Sequence, residues 1–392
     1  MFVPRMYLYW KASGRVKSLP TYDKMKTKEF RHLPTAPYIH SGNRVWKVML
    51  DVLLALLPLV AVAYMARGMQ ALLAIGISVG SALITEFIFA WFLLDKRASL
   101  KDGTALITAL LLAFTLSPAT PWYVIAFGSS MAILFGKILW GGLGKNLFNP
   151  ALVGREFMTA FFPVIMSSGT LWAMKGTGPV APVALFGGWT DNSLMQYLDS
   201  LLYKTTGAMG EYSALLLCGG GLFLLLRNRI SWHIPVAMFV TFFLLLQLFA
   251  DKRLVYSVGG LLLGTLFMAT DMPSSPSTPG GKLYYGMMIG VVVIICLLDN
   301  IRHEYMSYSI LILNGFSRQI NKVFAPAVWG YKADLTSKGG QVFFLSLGIL
   351  TVTLAVLSLH RFGLTHWIIY LYILFLIGRF TTSTLKKLNH IL

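Results

Sequence analysis

Five ionisable side chains, Asp51, Glu86, Lys137, Arg155 and Glu156, stand inside otherwise apolar stretches of this 392-residue chain. A charge placed there is costly unless it is paired or hydrated, so each marks either a buried ion pair or a functional group. Asp51, Lys137, Arg155 and Glu156 fall near the ends of their stretches, where a snorkelling side chain is the inexpensive explanation. Glu86 lies deeper, about fifteen residues into its stretch, and is the one candidate for an ion-linked carboxylate, against a buried ion pair as the alternative. His40, His233, His303, His360 and His366 show no ligand spacing, which argues against haem and against a metal site. Cys218 and Cys296 both sit in apolar runs, the usual place for an inert thiol.

Two further patterns join chemistry to helix ends. Asp102-Gly103-Thr104 and Gly210-Glu211-Tyr212-Ser213 each put a carboxylate just before an apolar helix start, where it favours the positive end of the helix. Asn146-Leu147-Phe148-Asn149-Pro150 and Asp271-Met272-Pro273 each place an Asx residue and a proline before a new helix. Broken helices recurring in two halves point to inverted repeats with a site between them. Ordinary N-capping with proline in the first turn accounts for the same residues.

The elements that must position these groups follow from composition. Hydrophobic residues make up 56% of the chain and charged residues 12%, with a mean hydropathy of +0.68. So little charge cannot cover a water-facing surface. The net charge of +18 is spread between apolar runs and forms no patch, which excludes nucleic acid as a partner. A bilayer core of about 30 Å needs roughly 20 apolar residues. Candidate spans are 46–66, 71–94, 122–140, 150–167, 213–226, 233–250, 254–270, 284–299, 305–321, 341–359 and 364–382, and 103–117 reads as a half-length broken helix. Alternating these twelve segments puts 24 Lys and Arg inside against 7 outside, so the positive-inside bias predicts both termini in the cytoplasm of a multi-pass protein. The basic arm 1–44 lacks the apolar core of a signal peptide. The loop at 168–212 is long, rich in Gly, Pro, Thr and Trp, and predicted outside. The predicted layout is an arm (1–44), a transmembrane core (45–323), a cytoplasmic linker (324–340) and a C-terminal transmembrane hairpin with a basic tail (341–392).

The stretch Gly141-Gly142-Leu143-Gly144-Lys145-Asn146-Leu147-Phe148-Asn149-Pro150-Ala151 resembles the G-G-x-G-x-N-x-F-N-P-A signature of the RnfD/NqrB family. Asp271-Met272-Pro273-Ser274-Ser275-Pro276-Ser277-Thr278-Pro279 resembles that family's second signature, and Pro37–Gly42 and Asp102–Leu106 match in order and spacing. The resemblance covers about 36–322, fits RnfD better than NqrB through its short arm, and leaves 341–382 unexplained.

The resemblance implies an all-α core of ten helices in two inverted five-helix repeats, like that of urea and ammonium channels. It implies a membrane component of a multi-subunit, redox-driven ion pump in the bacterial inner membrane, linked to ferredoxin, NADH or a quinone and not catalytic alone. It further implies flavins held at both faces. One is an FMN joined to a threonine of the outer loop, for which Thr177 is the best match, although Lys175 stands where the motif has aspartate and one alignment places Ala181 at the acceptor. The other is a non-covalent flavin such as riboflavin, carried over to Asn146, Asn149 and Asp271, while Asn149 equally reads as the cap of the helix begun at Pro150. A divergent paralogue without covalent FMN and a small-solute channel are the alternatives. Bound flavin separates them.

Overall fold

The computed structural model describes residues 44–94, 99–173, 199, 201–249, 252, 254–326 and 335–389. The chain divides into two units, 1–43 and 44–392, and all the described residues lie in the second. Apart from Arg44, the basic arm therefore lies outside them, as do 174–198 of the long loop and 327–334 of the linker.

Among the described residues there is no strand, and each of the twelve apolar stretches carries a helix. The first five are α1 (Val45–Arg67), α2 (Met69–Leu94), α3 (Thr104–Phe114), α4 (Trp122–Ile133, prolonged by a π turn Leu134–Ile138) and α5 (Pro150–Phe161). The next five are α6 (Ala214–Leu226), α7 (His233–Leu248), α8 (Val258–Leu263, prolonged by a π turn Gly264–Met268), α9 (Pro279–Leu298) and α10 (Tyr305–Val323). A hairpin of α11 (Leu335–Arg361) and α12 (Thr365–Asn389) follows. Four of these contain an apolar window long enough to cross a bilayer alone: α1, α2, α9 and, over Lys338–Arg361, α11.

Some expected spans are shorter than their apolar runs. The stretch 150–167 is continuous helix only to Phe161, because Pro163 has no N–H to extend the ladder and Phe162 leaves helical geometry (φ −128°, ψ 51°). The stretch 254–270 turns helical only at Val258, where the Ser257 side chain accepts from the Gly260 N–H at 3.3 Å. Both α3, with 11 residues, and α8 thus cover about half a bilayer at about 1.5 Å per residue.

Small residues let the helices approach closely. A Cβ on Gly286 of α9 would collide with the Ile234 carbonyl of α7, and one on Gly154 of α5 would lie 2.5 Å from the Gly128 carbonyl of α4. Polar ties join the two sets of five. Asp51 of α1 meets Arg229 (2.6 Å) and Arg227 (3.2 Å) beyond α6, and the Met209 N–H donates to the Leu116 carbonyl (3.0 Å). The hairpin lies against both sets. Tyr372 of α12 donates to the Phe135 carbonyl and accepts from the Trp140 indole, each at 3.0 Å. Tyr284 of α9 bonds Ser346 of α11 at 2.7 Å, and Tyr308 of α10 bonds His360 at 2.9 Å. Large apolar side chains such as Phe92, Leu244, Phe344 and Leu371 are left exposed around the bundle, the surface a lipid-facing protein presents.

Candidate functional site

At one edge of the bundle the two Asx/Pro segments meet. The chain leaves the π turn of α4 through Gly141, Gly142 and Gly144, with φ of +106°, +94° and +77°, a path that side-chain-bearing residues rarely take. It delivers Asn149 as the cap of α5, its side-chain oxygen accepting from the Ala151 N–H (3.0 Å) and Leu152 N–H (3.5 Å). The Asn149 amide nitrogen donates to the Met268 carbonyl at the end of α8 (3.1 Å). Asn146 donates to Asp271 at 3.4 Å, and Ser274 donates to the same carboxylate oxygen at 2.8 Å. Asn146, Asn149 and Asp271, predicted together from sequence, are therefore brought together. Asn314, wholly buried in α10, was missed. Its amide, oriented so that both ends are satisfied, accepts from the Asn149 N–H (3.1 Å) and donates to the Ser274 carbonyl (3.3 Å) and the Tyr285 hydroxyl. An amide among the apolar residues of an amphipathic helix that also carries Gln319 and Asn321 was the only sequence signal for it.

Asn146, Asn149 and Asp271 wall a cavity of about 250 Å³ whose other sides come from α1, α3, α6 and α8. Burial pushes the Asp271 carboxyl up to about 6, against the hydrogen bond from Ser274. Lys137 reaches the same cavity from the π turn. Its ammonium lies 2.6 Å from Glu86 and 3.6 Å from Asp102, and it bonds the Thr104 hydroxyl. Asp102 in turn accepts from the Thr104 N–H (2.9 Å) and hydroxyl (2.7 Å) at the start of α3. Glu86 is fully buried. Its Oε1 also accepts from Ser99, and its Oε2 has no partner among the described residues.

Snorkelling is the wrong account of Lys137, Asp51 and Arg155, which are only 3%, 5% and 4% exposed. The bundle supplies Lys137 and Arg155 with partners within its interior, whereas Asp51 is held at the edge of the bundle by Arg229 and the exposed Arg227. Arg155 bonds the carbonyls of Thr115 and His303, capping the end of α3, and lies 3.9 Å from Glu304. Glu156, next to it, accepts from Ser307.

Arg155 also opens onto a larger cavity of about 560 Å³, with Trp172, Lys204, Glu211, Arg302 and His303 on its wall. The Trp172 ring stacks on His303 (centroids 4.5 Å apart) and lies 5.7 Å from the Arg155 guanidinium. Burial, outweighing the pull of Glu304, holds His303 below its ordinary value. Glu211, expected to serve the start of α6, instead accepts from Ser257 (2.5 Å) and Lys204 (3.3 Å) at the cap of α8. Three cations against one carboxylate give this wall a net positive charge. Leu266 and Phe267 line the smaller cavity and Met268 the larger, so one turn of α8 stands between the two. Thr177, together with Lys175 and Ala181, lies outside the described residues.

A profile of the NQR2, RnfD, RnfE family matches residues 32–330. The chain belongs to that family. The D subunit of the Na(+)-translocating ferredoxin:NAD(+) oxidoreductase complex of Acetobacterium woodii is 36% identical over 300 residues, 76% of this chain and 94% of the relative. The D subunit of the proton-translocating counterpart in Clostridium ljungdahlii is 32% identical, covering 76% of this chain and 96% of the relative. The D subunit of an ion-translocating oxidoreductase complex of Haemophilus influenzae is 30% identical, covering 76% and 97%. The NQR2, RnfD, RnfE match contains both Asx/Pro segments, every helix from α1 to α10 and both cavities, in a multi-pass membrane protein. It ends before α11, leaving the hairpin beyond the family region.

Proposed function

We propose that this chain is the RnfD-type membrane component of an ion-translocating electron-transport complex, and that it holds flavin at both ends of its bundle. The observation that carries the reading is the match of near-complete RnfD-type relatives over 76% of this chain, across the residues that build the two cavities. The two relatives named for sodium and for protons leave the ion open.

The residues present fit a flavin in each cavity. In the smaller one, the Asn146 amide and the Asp271 carboxyl can meet the donor and acceptor edge of an isoalloxazine ring. Asn149 positions that wall, since both ends of its amide are engaged with protein. In the larger one, Trp172 offers a stacking face and Arg155, Lys204 and Arg302 offer charge for a phosphate. Thr177 is five residues beyond Trp172 and is the proposed point of covalent FMN attachment. Flavin, when bound, supplies one- and two-electron redox chemistry. Residues of the π turn that prolongs α8 face both cavities, so a single helix separates them. Glu86 is the proposed carboxylate on the ion path, with Lys137 as its counter-charge.

Two inverted five-helix repeats account for the layout. The half-length helix is third in each set of five, and α3 starts at the smaller cavity while α8 starts at the larger. Each start carries a lysine, a carboxylate and a hydroxyl, namely Lys137, Asp102 and Thr104 against Lys204, Glu211 and Ser257. With the positive-inside bias, the smaller cavity is cytoplasmic and both termini lie in the cytoplasm of an inner-membrane protein.

The test is fluorescence of the purified chain. A fluorescent band after denaturing electrophoresis that disappears in Thr177→Ala places covalent FMN there. A band that persists in that variant removes Thr177 from the reading, and a colourless native protein removes both flavins.

A further inference from the structure

A third cavity, of about 320 Å³, lies where the hairpin meets the glycine-rich loop and is lined by Lys145, Asn146, Ser275, Arg318, Asn321 and Arg379 among others. Its cations come from three elements: the loop before α5, helix α10 and helix α12. None of its described lining residues is acidic, so the three positive charges repel one another around a polar hollow, and a bound anion would relieve this. Arg379 is held in place by the Trp140 ring, 4.2 Å beneath its guanidinium.

Beside it runs an apolar cavity of about 350 Å³, walled by α5, α10, α11 and α12 through residues such as Val153, Ala160, Phe316, Val352 and Ile369. The two are neighbours along three segments. Leu147 lines the polar cavity and Phe148 the apolar one, Ser317 and Phe316 divide the same way, and Tyr372 lies two turns before Arg379 on α12. Glu156, the carboxylate of the apolar cavity, is held by Ser307 at the start of α10, the opposite end of that helix from Arg318.

We infer that this seam binds one anionic phospholipid, with its phosphate among Lys145, Arg318 and Arg379 and an acyl chain in the apolar cavity. A cationic pocket between transmembrane helices, continued by an apolar groove, matches both ends of such a molecule, whereas the cationic headgroup of a zwitterionic lipid would meet like charge there. Arg379 and one wall of the groove belong to the hairpin, beyond the family match that ends at 330. The lipid therefore joins that hairpin to the family core.

Native mass spectrometry of the full chain through stepwise delipidation tests this, with phosphatidylglycerol and phosphatidylcholine of the same acyl chains as probes. Phosphatidylglycerol is expected to be retained by the wild type. The combined change Lys145→Gln, Arg318→Gln and Arg379→Gln is expected to weaken it by roughly 100-fold, from the contribution of each cation near a lipid headgroup. Ala160→Trp, which fills the groove, is expected to release it, and Lys282→Gln, at a cation outside the cavity, to leave it in place. Equal retention of both lipids by the wild type overturns the proposal, as does full retention in the triple variant. Displacement by inorganic phosphate, with no effect of Ala160→Trp, replaces the lipid by a free anion and overturns it too. Should the triple variant not fold, the wild-type comparison of the two lipids decides alone.

Discussion

At the scale of single residues, each buried charge is answered by a specific neighbour. Glu86 and Lys137 form a pair with almost no solvent access, so removing one partner costs far more than the pair contributes. Lys137→Met is expected to destabilise the chain by about 3–5 kcal/mol, and adding Glu86→Gln to recover most of that loss, read by unfolding in detergent. Asn149 and Asn146 separate by the same logic. Asn149→Ala removes a cap and the Met268 bond and should cost about 1–3 kcal/mol. Asn146→Ala should leave stability nearly unchanged while releasing the proposed non-covalent flavin, measured by absorbance of the purified protein. Asp271 titrates unusually because the loop buries it. A carboxyl held above its ordinary value contributes stability that is fully present below about 3.8 and is lost as pH rises through about 6. Thermal unfolding across that window should therefore fall with rising pH in the wild type, and this component should vanish in Asp271→Asn.

At the scale of elements, the helices are set by where glycine, proline and cap residues interrupt apolar runs. Pro163 ends α5, Ser257 delays α8, and the Pro279 ring opens α9 after the Thr278 cap. Close packing is set by glycine at the contacts. Gly154→Ala would bring a Cβ within 2.5 Å of the Gly128 carbonyl, so α4 and α5 must part. The expected cost is about 1–3 kcal/mol, with loss of both proposed flavins, because α5 carries Asn149 at one cavity and Arg155 at the other.

At the scale of the whole molecule, the proposed orientation makes a direct prediction. With Cys218 and Cys296 replaced by serine, a cysteine introduced at 333 should react with an impermeant maleimide only from the cytoplasmic side, and one at 206 only from the other. Reaction of both from one side would remove the alternation on which the two-faced reading rests.

Much of the architecture was legible in the linear chain. Apolar runs give helices because no other backbone arrangement of a lone segment satisfies its hydrogen bonds in lipid, and all twelve runs did. The meeting of Asn146, Asn149 and Asp271 was legible too, as what the resemblance of their two segments to the family's signatures implied. The partners of the buried charges were not. Helix periodicity gives no distance between α2 and α4, so a buried ion pair at Glu86 could be weighed from sequence but Lys137 could not be named as its partner, and Arg155 read as a side chain bound for the interface. Glu211 stands next to α6 in sequence, yet its carboxylate serves α8, forty-six residues on. Composition and motif determined that this is a helical membrane protein of a particular family. Which charges neutralise one another, how thin the wall between the two cavities is, and where the hairpin docks were decided only when helices distant in sequence packed together. Those quantities depend on distances between segments, and no local pattern encodes them.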